Sequence, residues 1–276
     1  MPGARFGLVR RLIVIWTVAV IAFLYIPMVS VVLASFAKKR YFSFPVKAWD
    51  TRWYEKVFNS LSVRELVVTS LDVAVLVTVF SVILAFLGAL AFARYDWKGR
   101  KLYQKIVLLP IFFPQAVLGL ALLLWFSALG ITTSWQTAVF AHMVWIVPIV
   151  TLIISIQVYG FDPALEEAAR DLGASRWQVL REITLPILSP GLISGSVFAF
   201  LLSWGNFPLS LFSTGADQTV PEWLYAKMVM GYTPMVPTLG SLTMGGAVIV
   251  VLAVYVAFLL RRWRHNRAMA GVAFDD

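Results

Sequence analysis

Apolar residues in this chain come in long unbroken blocks, not as an alternation and not as a one-sided stripe. Six blocks stand out, at about 12–36, 66–93, 106–129, 135–160, 192–214 and 238–260. Each is near the roughly 20 residues that a helix needs to cross a bilayer core of about 30 Å. None alternates strictly between apolar and polar positions, which argues against a β-barrel. The pattern predicts an all-α integral membrane protein with six transmembrane helices in a single domain over 1–276. The first block follows Arg5, Arg10 and Arg11, as the core of a secretory leader would. It is longer than the usual leader core of about 7–15 residues, so it is expected to stay as the first helix. Pro27, Pro110, Pro114, Pro148 and Pro208 fall inside the blocks. Each proline removes a backbone donor and kinks its helix. The freed carbonyl then needs a neighbouring helix or a water-filled path. No repeat relates the two halves.

Composition narrows the chemistry. Of 276 residues, 60% are apolar and 13% are charged, against about 45–50% and about 25% in soluble domains. There is no cysteine and there are only two histidines. Disulfides, thiolate catalysis and Cys- or His-rich metal sites are thereby excluded, and no cofactor or metal is expected. The net charge of +9 raises the question of nucleic acid, and the placement of the charge answers it. Fifteen of the 23 basic residues lie at the N-terminus, in the second and fourth connections and in the tail. They are Arg5, Arg10, Arg11, Arg94, Lys98, Arg100, Lys101, Lys105, Arg170, Arg176, Arg181, Arg261, Arg262, Arg264 and Arg267. The positive-inside rule puts that side, and both termini, in the cytoplasm. The charge is then expected to face anionic lipid, not nucleic acid.

The connection 161–190 is more than a loop. Asp162 can cap a helix that has Pro163 in its first turn. Glu166 and Glu167 lie near the positive end of that helix. Leu165, Ala168, Ala169 and Leu172 recur at helical spacing and form one narrow apolar face. Gly173 suits a left-handed C′ position. Ser175 and Gln178 have the spacing of a capping box for a second helix, which Pro186 is expected to end. By shape alone the first helix could lie on the bilayer surface or dock into a groove of another protein.

The wording of this segment resembles a known signature. Glu167-Ala168-Ala169, then three residues, Gly173, then nine residues, then Ile183, Leu185 and Pro186 is similar to the EAA motif of ABC-importer permeases. Further similarity to the second permease of spermidine/putrescine importers extends along the chain. It is carried by Leu24-Tyr25-Ile26-Pro27, Ser35-Phe36, Trp53-Tyr54, Thr69-Ser70-Leu71, Pro114 with Leu118, Leu122 and Leu123, and His142 with Pro148. The resemblance implies a type I importer fold in a bacterial inner membrane, with a cytoplasmic coupling helix that docks on an ATPase. Leu165, Glu167, Ala168, Ala169, Leu172, Gly173, Leu185 and Pro186 would carry the coupling. Implied partners are a second permease, two ATPase subunits, a periplasmic binding protein and a small solute. The chain has no Gly-x-x-x-x-Gly-Lys-Ser/Thr loop of its own, so ATP hydrolysis would fall to a separate subunit. A secondary carrier or channel subunit working without an ATPase is the competing reading.

Two departures bear on the solute. Gln115 stands where polyamine permeases tend to have an acid after the proline. Ser203-Trp204-Gly205-Asn206-Phe207 stands where they tend to have an Asp pair. With fewer carboxylates, an opine, an amino-acid derivative or an organophosphonate comes next to a polyamine. Asp72 is the one acid inside a span, and an intramembrane ionisable group is a candidate for a solute path. Gln115, Trp204 and Asn206 either line such a path or hold helices together. His142 is expected to be a hydrogen-bonded structural residue. Gly240, Gly245 and Gly246 are expected to allow close helix packing. Trp125 and Trp135 belong to an aromatic belt. The outer stretch 215–237, with a helix start at Pro221-Glu222-Trp223, would either receive the binding protein or rest at the interface.

Overall fold

The computed structural model of the chain describes residues 3–39, 43, 45–46 and 48–272. Arg40 and Lys47 lie outside the described residues, as do the side chains of Arg5, Arg261, Arg262, Arg264, His265 and Arg267. Twelve helices follow one another among the described residues: α1 (Gly3–Ser35), α2 (Arg52–Phe58), α3 (Leu61–Ala89), α4 (Arg100–Leu108), α5 (Gln115–Ala128), α6 (Trp135–Tyr159), α7 (Ala164–Asp171), α8 (Arg176–Val179), α9 (Leu185–Trp204), α10 (Ser210–Ser213), α11 (Val220–Met230) and α12 (Met235–Val272). A π-turn, Leu90–Arg94, closes α3, and a second, Leu180–Thr184, joins α8 to α9. A 3-10 turn, Leu109–Phe112, follows α4.

Among the described residues, five helical stretches are long and apolar enough to cross a bilayer: Val9–Ser35, Leu61–Arg94, Trp135–Tyr159, Arg176–Trp204 and Met235–Leu260. A sixth span is broken. Arg100–Phe112 and Gln115–Ala128 meet at 104°, where the sequence pattern predicts one span over 106–129 kinked at its prolines. The break follows from Pro114. The residue before a proline is pushed out of the helical region, and Phe113 is extended at φ −86°, ψ 136°.

The fifth span differs as well. It begins at Arg176 and ends at Trp204, not at 192 and 214, and Pro186 does not end the helix that precedes it. A proline inside a helix clashes with the carbonyl four residues back. The π-turn just ahead of Pro186 widens the helix by one residue, with Leu185 N–H donating to Leu180 O. The helix therefore runs on through Pro186 and Pro190. Beyond Trp204 the chain leaves the helix at Gly205 and re-enters one at Ser210.

The chain divides into two compact units, Met1–Val63 with Leu224–Val248, and Arg64–Trp223 with Ile249–Asp276. In the first, Ser35 Oγ and Tyr54 OH lie 2.7 Å apart, Thr238 Oγ1 donates to Ser35 O at 3.3 Å, and Phe36 packs on Tyr54. Most of α1 is bare: Trp16 is 72% and Phe23 77% exposed. A continuous apolar surface of that length is stable against lipid or another membrane helix, not against water.

In the second unit α6 is the centre. Ile146, Val150 and Ile154 are fully buried among Val73, Val77 and Ala85 of α3 and Leu188 and Ala199 of α9. Gly191, Gly195 and Ala199 recur every four residues along α9. A Cβ on Gly195 would stand 3.0 Å from Val150 Cγ1, and one on Gly191 2.7 Å from Gln157 Cγ. This small-residue stripe lets two backbones approach closely in a medium where packing, not water exclusion, holds helices together. Of the glycines singled out from sequence, Gly240 would touch Val31, whereas Gly245 and Gly246 have nothing within 4 Å. Close packing within this chain thus falls at Gly191 and Gly195, not at Gly245 and Gly246.

Candidate functional site

The helix α7 is eight residues long, about 12 Å at 1.5 Å per residue. So short a helix is marginal by itself, and its ends are secured locally. Asp162 Oδ1 accepts from Ala164 N–H at 3.0 Å. At the other end Gly173 N–H donates to Arg170 O and Ala174 N–H to Ala169 O. That pair of bonds, with Gly173 at φ +88°, is a Schellman stop. The next helix starts on the capping box: Gln178 Oε1 accepts from Ser175 N–H, and Ser175 Oγ accepts from Gln178 N–H.

The apolar face of α7 points away from the protein. Leu165 is 49% and Leu172 90% exposed, and Glu167, Ala168 and Gly173 are exposed too. Ala169 and Leu185 are half-buried, and Pro186 is exposed. Glu166 is the residue that turns inward, a role the sequence does not assign to it. Its side chain is 8% exposed. Oε2 receives Arg94 at 2.8 Å and Arg170 at 3.0 Å, and Oε1 receives the Thr184 hydroxyl at 2.5 Å. The Arg94 guanidinium also lies 4.8 Å over the buried ring of Phe161. A buried carboxylate is tolerable when its lone pairs are filled in this way; removing one partner is the costly case.

The other candidates lie elsewhere in the second unit. Asp72 is on an exposed face of α3, two residues beyond Ser70, whose Oγ accepts from Val220 N–H at 2.8 Å. Gln115 is half-buried at the first position of α5, just past the 104° break. Non-helical backbone at membrane depth survives only inside protein or beside water, which makes the break a place where a polar path can run. Asn206 is 4% exposed and its Oδ1 accepts from Leu209 N–H, closing the start of α10. Trp204 stacks on Phe200 at 5.9 Å. α5 lies against α10, since a Cβ on Gly119 would come within 2.9 Å of Phe212 Cδ2. Gln115 thus opens a helix that lies against α10, Asn206 stands in the turn just before α10, and Asp72 stands on another element.

His142 is fully buried between the Ser203 and Ser210 hydroxyls, at 2.9 and 3.0 Å. Both ring nitrogens are thus occupied, and the ring ties α6 to α9 and α10. Near it, the remaining connections meet. Trp135 N–H donates to Asp217 Oδ2 and Thr137 Oγ1 to Ser213 O. Glu222 fills both carboxylate oxygens with the Thr214 hydroxyl and with the N–H and hydroxyl of Thr219. Trp125 stacks on Phe140 at 5.6 Å beside the same turn.

A multi-pass bundle with one exposed, firmly anchored apolar helix between its fourth and fifth spans is the architecture of a membrane permease. Residues 78–268 match the family of binding-protein-dependent transport system inner membrane components, and the chain belongs to that family. It is 30% identical over 236 residues to the spermidine/putrescine transport system permease protein PotC of Escherichia coli (strain K12), covering 85% of this chain and 89% of that one. It is 31% identical over 236 residues to the putrescine transport system permease protein PotI of the same strain, covering 83% and 84%. Among solved structures, a bacterial alginate ABC transporter in complex with its alginate pentasaccharide-bound periplasmic protein has a chain of the same fold. The TM-score is 0.69 at 20% identity, over 91% of this chain and 93% of that one. This chain is accordingly a permease subunit of an ABC importer, a multi-pass protein of the inner membrane.

Proposed function

We propose that this permease works beside a second, related permease, over two ATPase subunits, and receives its solute from a periplasmic binding protein. α7 is the lever on which the ATPase acts. The observation that carries the reading is the exposed Leu165–Leu172 face on a helix whose opposite side is pinned by Glu166. An almost bare leucine held on a fixed support is a docking surface in want of a cleft. Leu165, Ala168, Ala169 and Leu172 fill that cleft, Glu167 meets a basic group at its rim, Gly173 sets the exit angle, and Leu185 with Pro186 continues the lever into the fifth span. A lever of this kind does work only if its docking free energy differs between the transporter's two states.

Both termini face the cytoplasm in this reading. The Arg94–Glu166 bond gathers the basic second and fourth connections at one end of the second unit, and the Trp135–Asp217 bond gathers the third and fifth at the other. The solute is a polyamine first, as in the permeases named above, and an opine, amino-acid derivative or organophosphonate next. Asp72, Gln115, Trp204 and Asn206 mark its path, with Asp72 the exposed carboxylate available to a cation.

Two experiments test this. Leu172→Asp and Glu167→Lys should abolish ATP-driven uptake and solute-stimulated ATP hydrolysis while the chain still inserts. Unchanged uptake in both variants overturns the lever, and purification of an active transporter without an ATPase points to the carrier reading. Thermal shift of the cognate binding protein with spermidine, putrescine, opines and phosphonates identifies the solute, and a response only to the last two removes the polyamine assignment.

A further inference from the structure

The two π-turns among the described residues end on the same carboxylate. Arg94 is the last residue of the π-turn that closes the second span, and Thr184 is the last residue of the π-turn that opens the fifth. Both reach Glu166 of α7, Arg94 at 2.8 Å and Thr184 at 2.5 Å. All three are enclosed: the side chains of Arg94 and Glu166 are 14% and 8% exposed, and Thr184 is 3% exposed. Phe161, itself buried, floors the Arg94 guanidinium. A cation at the membrane edge is ordinarily accounted for by lipid phosphate, but this one is turned inward. Nothing in its position along the chain requires that.

We infer that Arg94, Glu166 and Thr184 form a clasp that makes α7 move as one piece with the inner ends of the second and fifth spans. The three act as positioning residues, through one another. Three features carry the inference. α7 is too short to hold its own orientation. Its remaining faces at Leu165, Glu167, Ala168 and Leu172 are exposed and provide no second anchor. And π-turns, which interrupt the regular helical ladder and recur at functional sites, are where a span can bend or shift register. A push on α7 is thereby delivered to two spans at the point where each deforms most readily. Arg170 also bonds Glu166, but its side chain is 52% exposed and it sits on α7 itself, so it links the helix to no other element.

The inference rests on the reading of α7 as the ATPase-driven lever, and the two are separable by experiment. The chain contains no cysteine, so introduced cysteines are unique in it. Spin labels on Asp171→Cys and Lys98→Cys, both exposed, report the separation of α7 from the end of the second span in the assembled transporter. With the clasp intact, one narrow distance distribution is expected, unchanged between nucleotide-free and ATP-trapped states. Arg94→Gln and Glu166→Gln should at least double its width and lower the uptake of radiolabelled spermidine per ATP hydrolysed at least tenfold. Arg170→Gln should leave the width unaltered. Thr184→Val, which deletes the hydroxyl shared between Glu166 Oε1 and Val179 O and removes no charge, should widen the distribution to a smaller degree and keeps the test usable should the charged variants fail to assemble. A distribution that stays narrow in Arg94→Gln or Thr184→Val overturns the clasp. The lever is tested independently by cross-linking Leu172→Cys to the ATPase: loss of that cross-link with a narrow distribution removes the lever and leaves the clasp in place.

Discussion

Gly173 offers the cleanest separation of backbone from contact. It stands at φ +88° and donates to Arg170 O in the stop that ends α7. A Cβ added there meets nothing within 4 Å, so among the described residues a side chain is opposed by conformation alone. For an ordinary L-residue the left-handed region costs roughly 1–2 kcal/mol, which lowers the population of the correct turn about 5–30-fold. Asparagine visits that region more readily, and a β-branched residue is a genuine outlier in it. Uptake of the cognate radiolabelled solute into vesicles, at matched amounts of inserted permease, should therefore fall in the order glycine, asparagine, alanine, valine. Asparagine should remain near the parent and valine should lose most of the activity. If Gly173→Asn is as inactive as Gly173→Val, the constraint is contact with a partner and not φ. If Gly173→Val transports normally, the turn does not matter and the argument from the Schellman stop fails.

Three further outcomes follow from the packing. Gly195→Leu drives a large side chain into Val150, and overpacking of this kind costs about 1–3 kcal/mol; the detergent-solubilised protein should unfold at a lower temperature, whereas Gly245→Leu should leave that temperature unchanged in the isolated chain. His142→Leu removes two interhelical hydrogen bonds, each worth about 0.6 kcal/mol on average; a stability loss of about 1 kcal/mol in a denaturant titration is expected, and no loss would show that the hydroxyls re-pair. Glu222→Ala strands the N–H and the hydroxyl of Thr219 and leaves the Thr214 hydroxyl to Ser210 O alone, at about 1–3 kcal/mol for each group left unpaired; limited proteolysis at 215–219 should accelerate, and an unchanged rate would show that other groups hold this turn.

What the sequence reveals is local, and what it hides is relational. The Ser175–Gln178 box, the Gly173 stop and the apolar face of α7 depend on neighbours three or four residues apart, and each is found where its spacing predicts. Glu166 and Glu167 are adjacent and chemically identical, so nothing in their order says that the first is buried against Arg94 and Thr184. Only the arrival of two distant spans decides it. The glycines follow the same rule. Gly191 and Gly195 resemble Gly245 and Gly246 on paper, but α6 lies against the first pair, and among the described residues nothing comes within 4 Å of a Cβ on the second. Pro114 announces a kink, not its size: the two halves of the span meet at 104°. Pro186 misleads for a different reason: the π-turn that absorbs it leaves no compositional mark.

The fifth span has a mechanical consequence of its own. Over its 29 residues, Arg176–Trp204 extends about 43 Å at 1.5 Å per residue, some 13 Å longer than a bilayer core of about 30 Å, with a soft point at the π-turn Leu180–Thr184. A rod that overshoots its medium behaves like an oar in its lock. Tilting it by about 10° around its midpoint sweeps each tip sideways by about 4 Å. Small angular freedom at the seam with α6 thus becomes a stroke of atomic size at the far end, with no need for any helix to unwind.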